Sequence, residues 1–314
     1  MSFEHYSVML TECIDGLNIK PNGLYVDCTA GGGGHSYAIA ERLTDGGKLI
    51  AIDRDPAAIQ AATERLAPFS DRVEIVRSNF SALKTVLDGR QADGVLIDLG
   101  ISSHQIDTAE RGFSYIKDAP LDMRMNPDDP LSAADVVNTY SEEALANLIF
   151  GYGEEKFARR IASEIVRARN NAPIRTTLEL ADLITSAIPP KFREKGGSPA
   201  KRTFQAIRIE VNGELEIIPP VVRDIADVLA PQGRMAIITF HSLEDRLVKQ
   251  TVSELTKGCT CPPSFPVCVC GKTPILKAVS RKPILPSTEE LNENKRSHSA
   301  KLRIAEKLPS PNHV

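Results

Sequence analysis

Three aspartates stand where short apolar runs end. Asp27 follows Leu24-Tyr25-Val26, Asp53 follows Leu49-Ile50-Ala51-Ile52, and Asp98 follows Val95-Leu96-Ile97. Asp27 opens the stretch Asp27-Cys28-Thr29-Ala30-Gly31-Gly32-Gly33-Gly34-His35. Glycines take positive φ angles and let a backbone approach a ligand with no Cβ in the way. An acidic residue at the end of the next strand, 19 residues past Gly34, can accept hydrogen bonds from both hydroxyls of a ribose. Together they predict an adenosine-bearing cofactor. The alternative is a plain glycine turn with an exposed aspartate.

The spacing also bears on which cofactor. A dinucleotide sets its pyrophosphate against a helix N-terminus through G-x-G-x-x-G. Here the glycines are contiguous, and Gly34 is followed at once by His35-Ser36-Tyr37. Asp27, just before the loop, would repel phosphate and would suit the ammonium of a methionine moiety, directly or through water. That favours S-adenosylmethionine over a nicotinamide dinucleotide. Ser78-Asn79-Phe80 ends a third apolar run. Phe80 could lie against adenine and Asn79 could bond its edge, or Phe80 is core. Ligands of open α/β sheets bind beyond the carboxyl ends of the strands, which aims Asp98 into that crevice. Its alternatives are an Asx turn or a helix cap.

Two further clusters are chemically distinct. The stretch 191–202 carries Lys191, Arg193, Lys195, Lys201 and Arg202 against one acid, Glu194. It is either a phosphate grip or a solvated loop, and Arg159, Arg160, Arg167 and Arg169 could extend it. Cys259, Cys261, Cys268 and Cys270 put four thiols within twelve residues, as two C-x-C pairs. Zinc, free thiols and a disulfide all remain open, because C-x-C is not the usual C-x-x-C knuckle.

The elements that must position these groups alternate as strand and helix over the first hundred residues. Strands are expected at 24–27, 48–53, 73–76 and 94–98, with helices at 36–43, 57–66 and 81–87. That order at that spacing predicts right-handed crossovers and a parallel sheet. From about Thr108 to Arg202 helix signals replace strands. Ser141 is a plausible N-cap, Phe157, Ile161 and Ile165 recur at helical spacing, and Thr176-Thr177-Leu178-Glu179 reads as a capping box ahead of Pro189-Pro190. Helices at 204–211 and 217–229, a strand at 234–240 after a stop at Gly233, and a helix at 244–255 follow. The alternation at 300–305 predicts an edge strand. The fold expected is an α/β, doubly wound, Rossmann-like methyltransferase core, 1–107 and 204–314, with an inserted all-helical domain, 108–203.

Composition sets outer bounds. The chain has 314 residues, net charge -3, no Trp and 5% aromatics, so its core must be aliphatic. Any nucleic-acid contact must come from a local basic patch, since the whole is mildly acidic. No run is long enough to cross a bilayer, and the first residues do not read as a signal peptide. Reduced thiols then fit a cytoplasmic protein.

The glycine run with His35-Ser36, Asp53-Arg54-Asp55 and Asp98-Leu99-Gly100-Ile101-Ser102-Ser103 resemble the bacterial 16S rRNA N4-cytosine methyltransferases of the MraW/RsmH type. So do His5-Tyr6-Ser7-Val8-Met9-Leu10, Gly112-Phe113-Ser114, Pro120-Leu121-Asp122-Met123-Arg124-Met125 and Gly151-Tyr152-Gly153-Glu154-Glu155. Arg202-Thr203-Phe204-Gln205-Ala206, Glu210-Val211-Asn212-Gly213-Glu214-Leu215 and Phe240-His241-Ser242-Leu243-Glu244-Asp245-Arg246 complete the series. The resemblance implies S-adenosylmethionine bound by Gly33, Gly34, His35, Asp53, Phe80, Asp98 and Gln105. It implies a decoding-centre cytosine as substrate, 16S rRNA within the 30S subunit as partner, and a helical insert that recognises it. No membrane or DNA is expected as partner.

Attack of a delocalised N4 nitrogen on a sulfonium methyl needs collinear positioning and an acceptor for the amine as it turns cationic. Asp98 is the candidate catalytic acceptor or cofactor ligand. DNA N4-cytosine methyltransferases carry Ser/Asp-Pro-Pro-Tyr where this chain has Asp98-Leu99-Gly100-Ile101, so their acceptor geometry does not transfer. Phe113, Tyr115, Phe240 and His241 are candidates to stack on or position a splayed-out base, or are core. Two rival functions remain, an NAD-dependent oxidoreductase and a non-catalytic RNA-binding factor.

Overall fold

The structure, a computed structural model, describes residues 7–193, 197–259, 261–262, 265–267 and 269–309. Lys195 and Cys268, with His5 and Tyr6 of the first motif, lie outside the described residues. The chain forms two compact units, Met1–Gly100 with Leu215–Val314, and Ile101–Glu214.

The first part of the sheet unit runs α1 (Leu10–Leu17), β1 (Leu24–Asp27), α2 (Gly34–Ala40), β2 (Lys48–Asp53), α3 (Pro56–Leu66), β3 (Val73–Arg77), α4 (Leu83–Leu87), β4 (Ala92–Asp98). The helical unit holds α5 (Ser103–Asp107), α6 (Ala133–Thr139), α7 (Glu142–Gly153), α8 (Ala158–Arg169), α9 (Thr177–Ala187) and α10 (Lys201–Asn212). The sheet unit resumes with α11 (Ile218–Val228), β5 (Leu229–Thr239), α12 (Ser242–Thr256), β6 (Leu276–Ala278), α13 (Thr288–Glu293) and β7 (Lys301–Lys307).

The seven strands lie in the order β3-β2-β1-β4-β5-β7-β6. β1 to β5 are parallel, while β7 is antiparallel to β5 and β6. Both faces are covered, so β2 and β4 read as unbroken apolar runs. Leu96, Ala236 and Ile238 share a core with Ile14 and Leu17 of α1 and Ile39 of α2. Ile97 and Ile237 face the other way, toward Val221 and Val222 of α11 and Val248 of α12. The double winding expected from the sequence is present.

Two strand expectations change. The segment at 300–305 is not an edge: Lys301–Lys307 lies between β5 and the three-residue β6, and its alternation reflects burial inside the sheet. Gly233 is not a stop. β5 starts at Leu229, opposite Ala92, and its pairing shifts before resuming at Arg234. A Cβ at Gly233 would sit 2.8 Å from the Ala230 carbonyl oxygen and 3.0 Å from that of Ala92, so only glycine passes through this irregularity.

The helical unit is held by its own core. Leu145, Leu148 and Ile149 of α7, Ile161 and Ile165 of α8, Leu180 and Ile184 of α9, and Phe204 and Ile207 of α10 are buried together. α10 thus belongs here, and the unit is 101–214 rather than the 108–203 read from the sequence. The Ser141 cap and the Thr176–Glu179 capping box both form, and α9 ends at Ala187 ahead of Pro189. Among the described residues the unit's one strand-like feature is an isolated bridge, Pro120 to Thr176.

Several motifs that carried the resemblance turn out to be braces of this unit. Asn212 accepts from the Met125 N–H at 2.8 Å and donates to the Met123 carbonyl at 2.8 Å. That pins Met123 at φ 60°, a left-handed conformation an L residue rarely holds alone. Arg124 forms a forked pair with Asp122, at 3.0 and 2.6 Å, and Arg208 does the same with Glu214, at 2.8 Å for both contacts.

Candidate cofactor-binding site

The order of β3-β2-β1 reverses at β4, so β1 and β4 flank the switch point where open sheets bind ligands. Asp27 and Asp98 end these two strands, and Asp53 ends β2. The loop after β1 is stitched to both neighbours. Cys28 N–H donates to the Leu96 carbonyl at 2.9 Å and Ala30 N–H to the Ile52 carbonyl at 2.8 Å. Asp98 N–H donates to Thr29 Oγ1 at 2.7 Å.

The glycines fit this path. Gly33 caps α2 at φ 76°, and its absent Cβ would already touch Ala62 Cα and Arg65 at 3.4 Å. At Gly34 a Cβ would fall 1.9 Å from Ser7 Oγ. Gly33 is thus required by its positive φ, while a side chain at Gly34 would force the Ser7 hydroxyl to turn away; both glycines are buried in this structure.

Asp53 stands beside the loop as expected, and it also organises it. Its Oδ2 accepts from Gly31 N–H at 2.8 Å and its Oδ1 from Asp55 N–H at 2.9 Å. Each oxygen keeps a further lone pair for a ribose hydroxyl. Burial raises its pKa, opposed by these two N–H bonds.

Asp27 is buried within the loop it opens. Its carboxylate has no accessible surface, Oδ2 accepting the Ser36 hydroxyl at 2.6 Å and Oδ1 the Thr29 N–H at 3.1 Å. It braces the loop instead of meeting an ammonium directly. Burial pushes its pKa up to about 6, against the pull of both hydrogen bonds. His35 is likewise turned inward, with Nε2 3.0 Å from the Val8 carbonyl oxygen, so its ring anchors α2 to the segment before α1.

Asp98 differs from the other two. Its Oδ1 is buried and has no hydrogen-bond partner among the described residues. Burial holds its pKa well above the usual carboxylate range, and the carboxylates of Asp27, Glu244 and Glu290 push the same way. A buried orphan acceptor costs about 1–3 kcal/mol, a cost that a bound donor or cation would relieve. It is the strongest sign of a ligand position here.

Glu244 was not singled out in the sequence. It is 1% exposed and forms a capping box with His241: Oε2 accepts from Phe240 N–H at 2.8 Å and His241 N–H at 3.2 Å. His241 Nδ1 accepts from Glu244 N–H at 3.4 Å. His241 is thus the N-cap of α12, just past the end of β5, through Nδ1, while its buried Nε2 lies 3.0 Å from Glu244 Oε1 with no hydrogen-bond partner among the described residues. The signal was His-x-x-Glu, a capping box with histidine where serine or threonine is usual. Phe240 packs on the sheet core, and Phe80 borders a small apolar gap with Ile97, Leu99 and Val221.

In the helical unit, Gln105 is 5% exposed, and its Oε1 accepts from Ser102 N–H at 3.0 Å in a capping box that starts α5. Phe113 is core, and Tyr115 packs edge-on against Phe204 with ring centroids 5.6 Å apart. The basic residues divide. Arg193 donates to the Ile188 and Thr185 carbonyls at 3.0 and 2.8 Å, closing the end of α9, and Arg169 donates to the Val137 and Tyr140 carbonyls. Arg167 pairs with Glu164. Lys191, Lys201 and Arg202 are exposed, as are Arg159 and Arg160, and Lys191 lies 4.9 Å from the ring centroid of the exposed Phe192. Arg202 also donates to the Glu154 carbonyl at 3.2 Å.

The family model described as "MraW methylase family" matches residues 2–308. A protein of Brevibacillus brevis named "Ribosomal RNA small subunit methyltransferase H" is 56% identical over 98% of this chain and 99% of its own length. A protein of the same name from Clostridium botulinum is 56% identical over 98% of this chain and all of its own length. Among solved structures, an rRNA methylase from Streptococcus thermophilus covers 94% of both chains at 11% identity with a TM-score of 0.43, a likeness too loose to bear on the site.

Proposed function

The chain belongs to the MraW methylase family, and from that membership we propose that it methylates the exocyclic N4 of a decoding-centre cytosine in small-subunit rRNA, the base at position 1402. S-adenosylmethionine is the donor, supplying an electrophilic methyl on a sulfonium. The observation that carries the reading is Asp98: a half-buried carboxyl with one buried, unsatisfied oxygen at the switch point, beside a glycine loop and the acid that ends β2.

The chain's own residues divide the work. The backbone at Gly33 and Gly34 admits a ligand closely, Asp53 takes the ribose hydroxyls, and Phe80 offers an apolar edge for adenine. Asp98 accepts from the cytosine amine or faces the donor's positive end. A cation beside it favours the carboxylate and reverses the effect of burial on its pKa. With Asp27 and Glu244 nearby, the field at this edge is negative, which suits a cationic ligand and would repel a pyrophosphate. That is the specific physical ground against a nicotinamide dinucleotide.

Lys191, Lys201 and Arg202 meet phosphates of the RNA, while Arg193 serves the fold. The setting is cytoplasmic, in or near the assembling 30S subunit. No described helix is long and apolar enough to cross a membrane. Methyl transfer from labelled S-adenosylmethionine to 30S particles that lack the modification tests the proposal. An Asp98→Ala chain should fold, and should lose transfer, cofactor affinity or both. Transfer at the parent rate with unchanged affinity would remove Asp98 from the account.

A further inference from the structure

We propose that Cys259, Cys261 and Cys270 form a thiolate site for a single zinc ion, a clasp for the long loop between α12 and β6. The three sulfurs lie within 4.8 Å of one another. Cys270 Sγ is 3.7 Å from Cys259 Sγ. With Zn–S near 2.3 Å, two thiolates on a tetrahedral ion are separated by about 3.8 Å. A disulfide needs about 2.05 Å. Cys259 and Cys270 thus stand at the spacing of two ligands around an ion, not of a covalent pair, with Cys261 within reach of both.

The backbone supports the same reading. Cys261 N–H points at Cys259 Sγ at 3.3 Å, and Val269 N–H at Cys261 Sγ at 3.4 Å. N–H groups aimed at sulfur stabilise the thiolate, the form that binds metal, and they orient the ligands as outer partners do in metal centres. Three soft sulfurs select zinc over hard cations. The fourth position is left to water or a further donor.

The loop also needs an organiser. The described residues of 257–275 contain no helix or strand, and none of them is buried. Phe265, Val267 and Val269 are 50, 71 and 74% exposed. A structureless loop of this length inside a compact unit is uncommon unless something fixes it. Its base is closed by Ile275 N–H donating to the Leu255 carbonyl at 2.9 Å, but none of the described residues at its tip is buried. A metal would supply that order, as it does in small metal-dependent folds. The clasp is remote from the cofactor edge. α12 starts there, just past β5, and its 15 residues carry the chain about 22 Å away before the loop begins. Its role is therefore structural.

The test uses the full chain, stripped of metal under reducing conditions, with cobalt(II) and then zinc as probes. Cobalt should give intense thiolate-to-metal charge-transfer absorption and the visible bands of a tetrahedral ion, at about one ion per chain, and zinc should displace it. Cys259→Ser and Cys270→Ser should each weaken zinc binding by more than the roughly 10–100-fold lost when an outer partner is removed. The melting of the metal-free chain should not change, because both side chains are exposed. Zinc should slow proteolysis within 257–275 in the parent and not in the variants. A cobalt spectrum without thiolate bands, equal zinc affinity in a Cys259/Cys261/Cys270→Ser chain, or a disulfide among the three in protein isolated anaerobically would overturn the proposal.

Discussion

The backbone N–H of Asp98 donates to the hydroxyl of Thr29 at 2.7 Å, tying the end of β4 to the glycine loop that follows β1. The side chain left over, a carboxyl with an orphaned oxygen, is therefore held at a fixed place on the cofactor edge. The candidate acceptor is thereby linked to the loop that would receive the cofactor.

Asp53→Ala should hurt both folding and binding. It strands the N–H groups of Gly31 and Asp55, which costs about 1–3 kcal/mol of stability. It also removes the acceptor for ribose, so cofactor affinity measured by calorimetry should fall at least about tenfold, the equivalent of one charge-assisted hydrogen bond. Unchanged affinity in a folded Asp53→Ala chain would detach this residue from the ligand.

Gly34→Ala should be poorly tolerated, because its Cβ would lie 1.9 Å from Ser7 Oγ. Adding Ser7→Gly removes that oxygen and should recover most of the melting temperature lost. Failure of the double variant to recover would mean that the cost comes from the α2 backbone.

Asp27 gives the chain a measurable pH dependence. Its folded pKa of about 6 exceeds the ordinary aspartate value, so the folded state holds the proton more tightly than the unfolded state does. Its contribution is most favourable below pH ~4, fades as pH rises to about 6, and is then lost, a swing of about 3 kcal/mol. Denaturant titrations across that window should show parent stability falling with rising pH relative to Asp27→Asn. Parallel curves would contradict this.

Much of this was legible because the signals were local. Apolar runs ending in Asp27, Asp53 and Asp98 mark strands buried on both faces, and Thr176-x-x-Glu179 marks a helix start. What stayed hidden depends on partners far apart in sequence. Nothing near Asp27 says that Ser36 will turn back to it, or that His35 will reach Val8. Nothing in the residues around Glu244 marks it for burial, yet it is 1% exposed. The placement of Lys301–Lys307 inside the sheet required β6, three residues whose sequence carries no strand signal. α10 has a helix pattern compatible with either unit, and only the apolar partners on α7 decide between them.

The exposed cations of the helical unit should act through charge alone. Reversing Lys191 and Lys201 to Glu should weaken rRNA binding and flatten its salt dependence, while Arg193→Ala should lower the melting temperature because it opens the end of α9. Filter binding over a salt series and thermal melts separate the two effects. A steep, unchanged salt slope in the Lys191/Lys201 variant would place the RNA elsewhere.

The most direct measurement of the central claim is methyl transfer itself. Purified chain, labelled S-adenosylmethionine and small subunits from cells lacking this activity would be incubated together, and the rRNA digested for nucleoside mass spectrometry. Label in N4-methylcytidine, lost with Asp98→Ala, is the expected result. Label on carbon 5, in another base, or in no RNA at all would contradict the account.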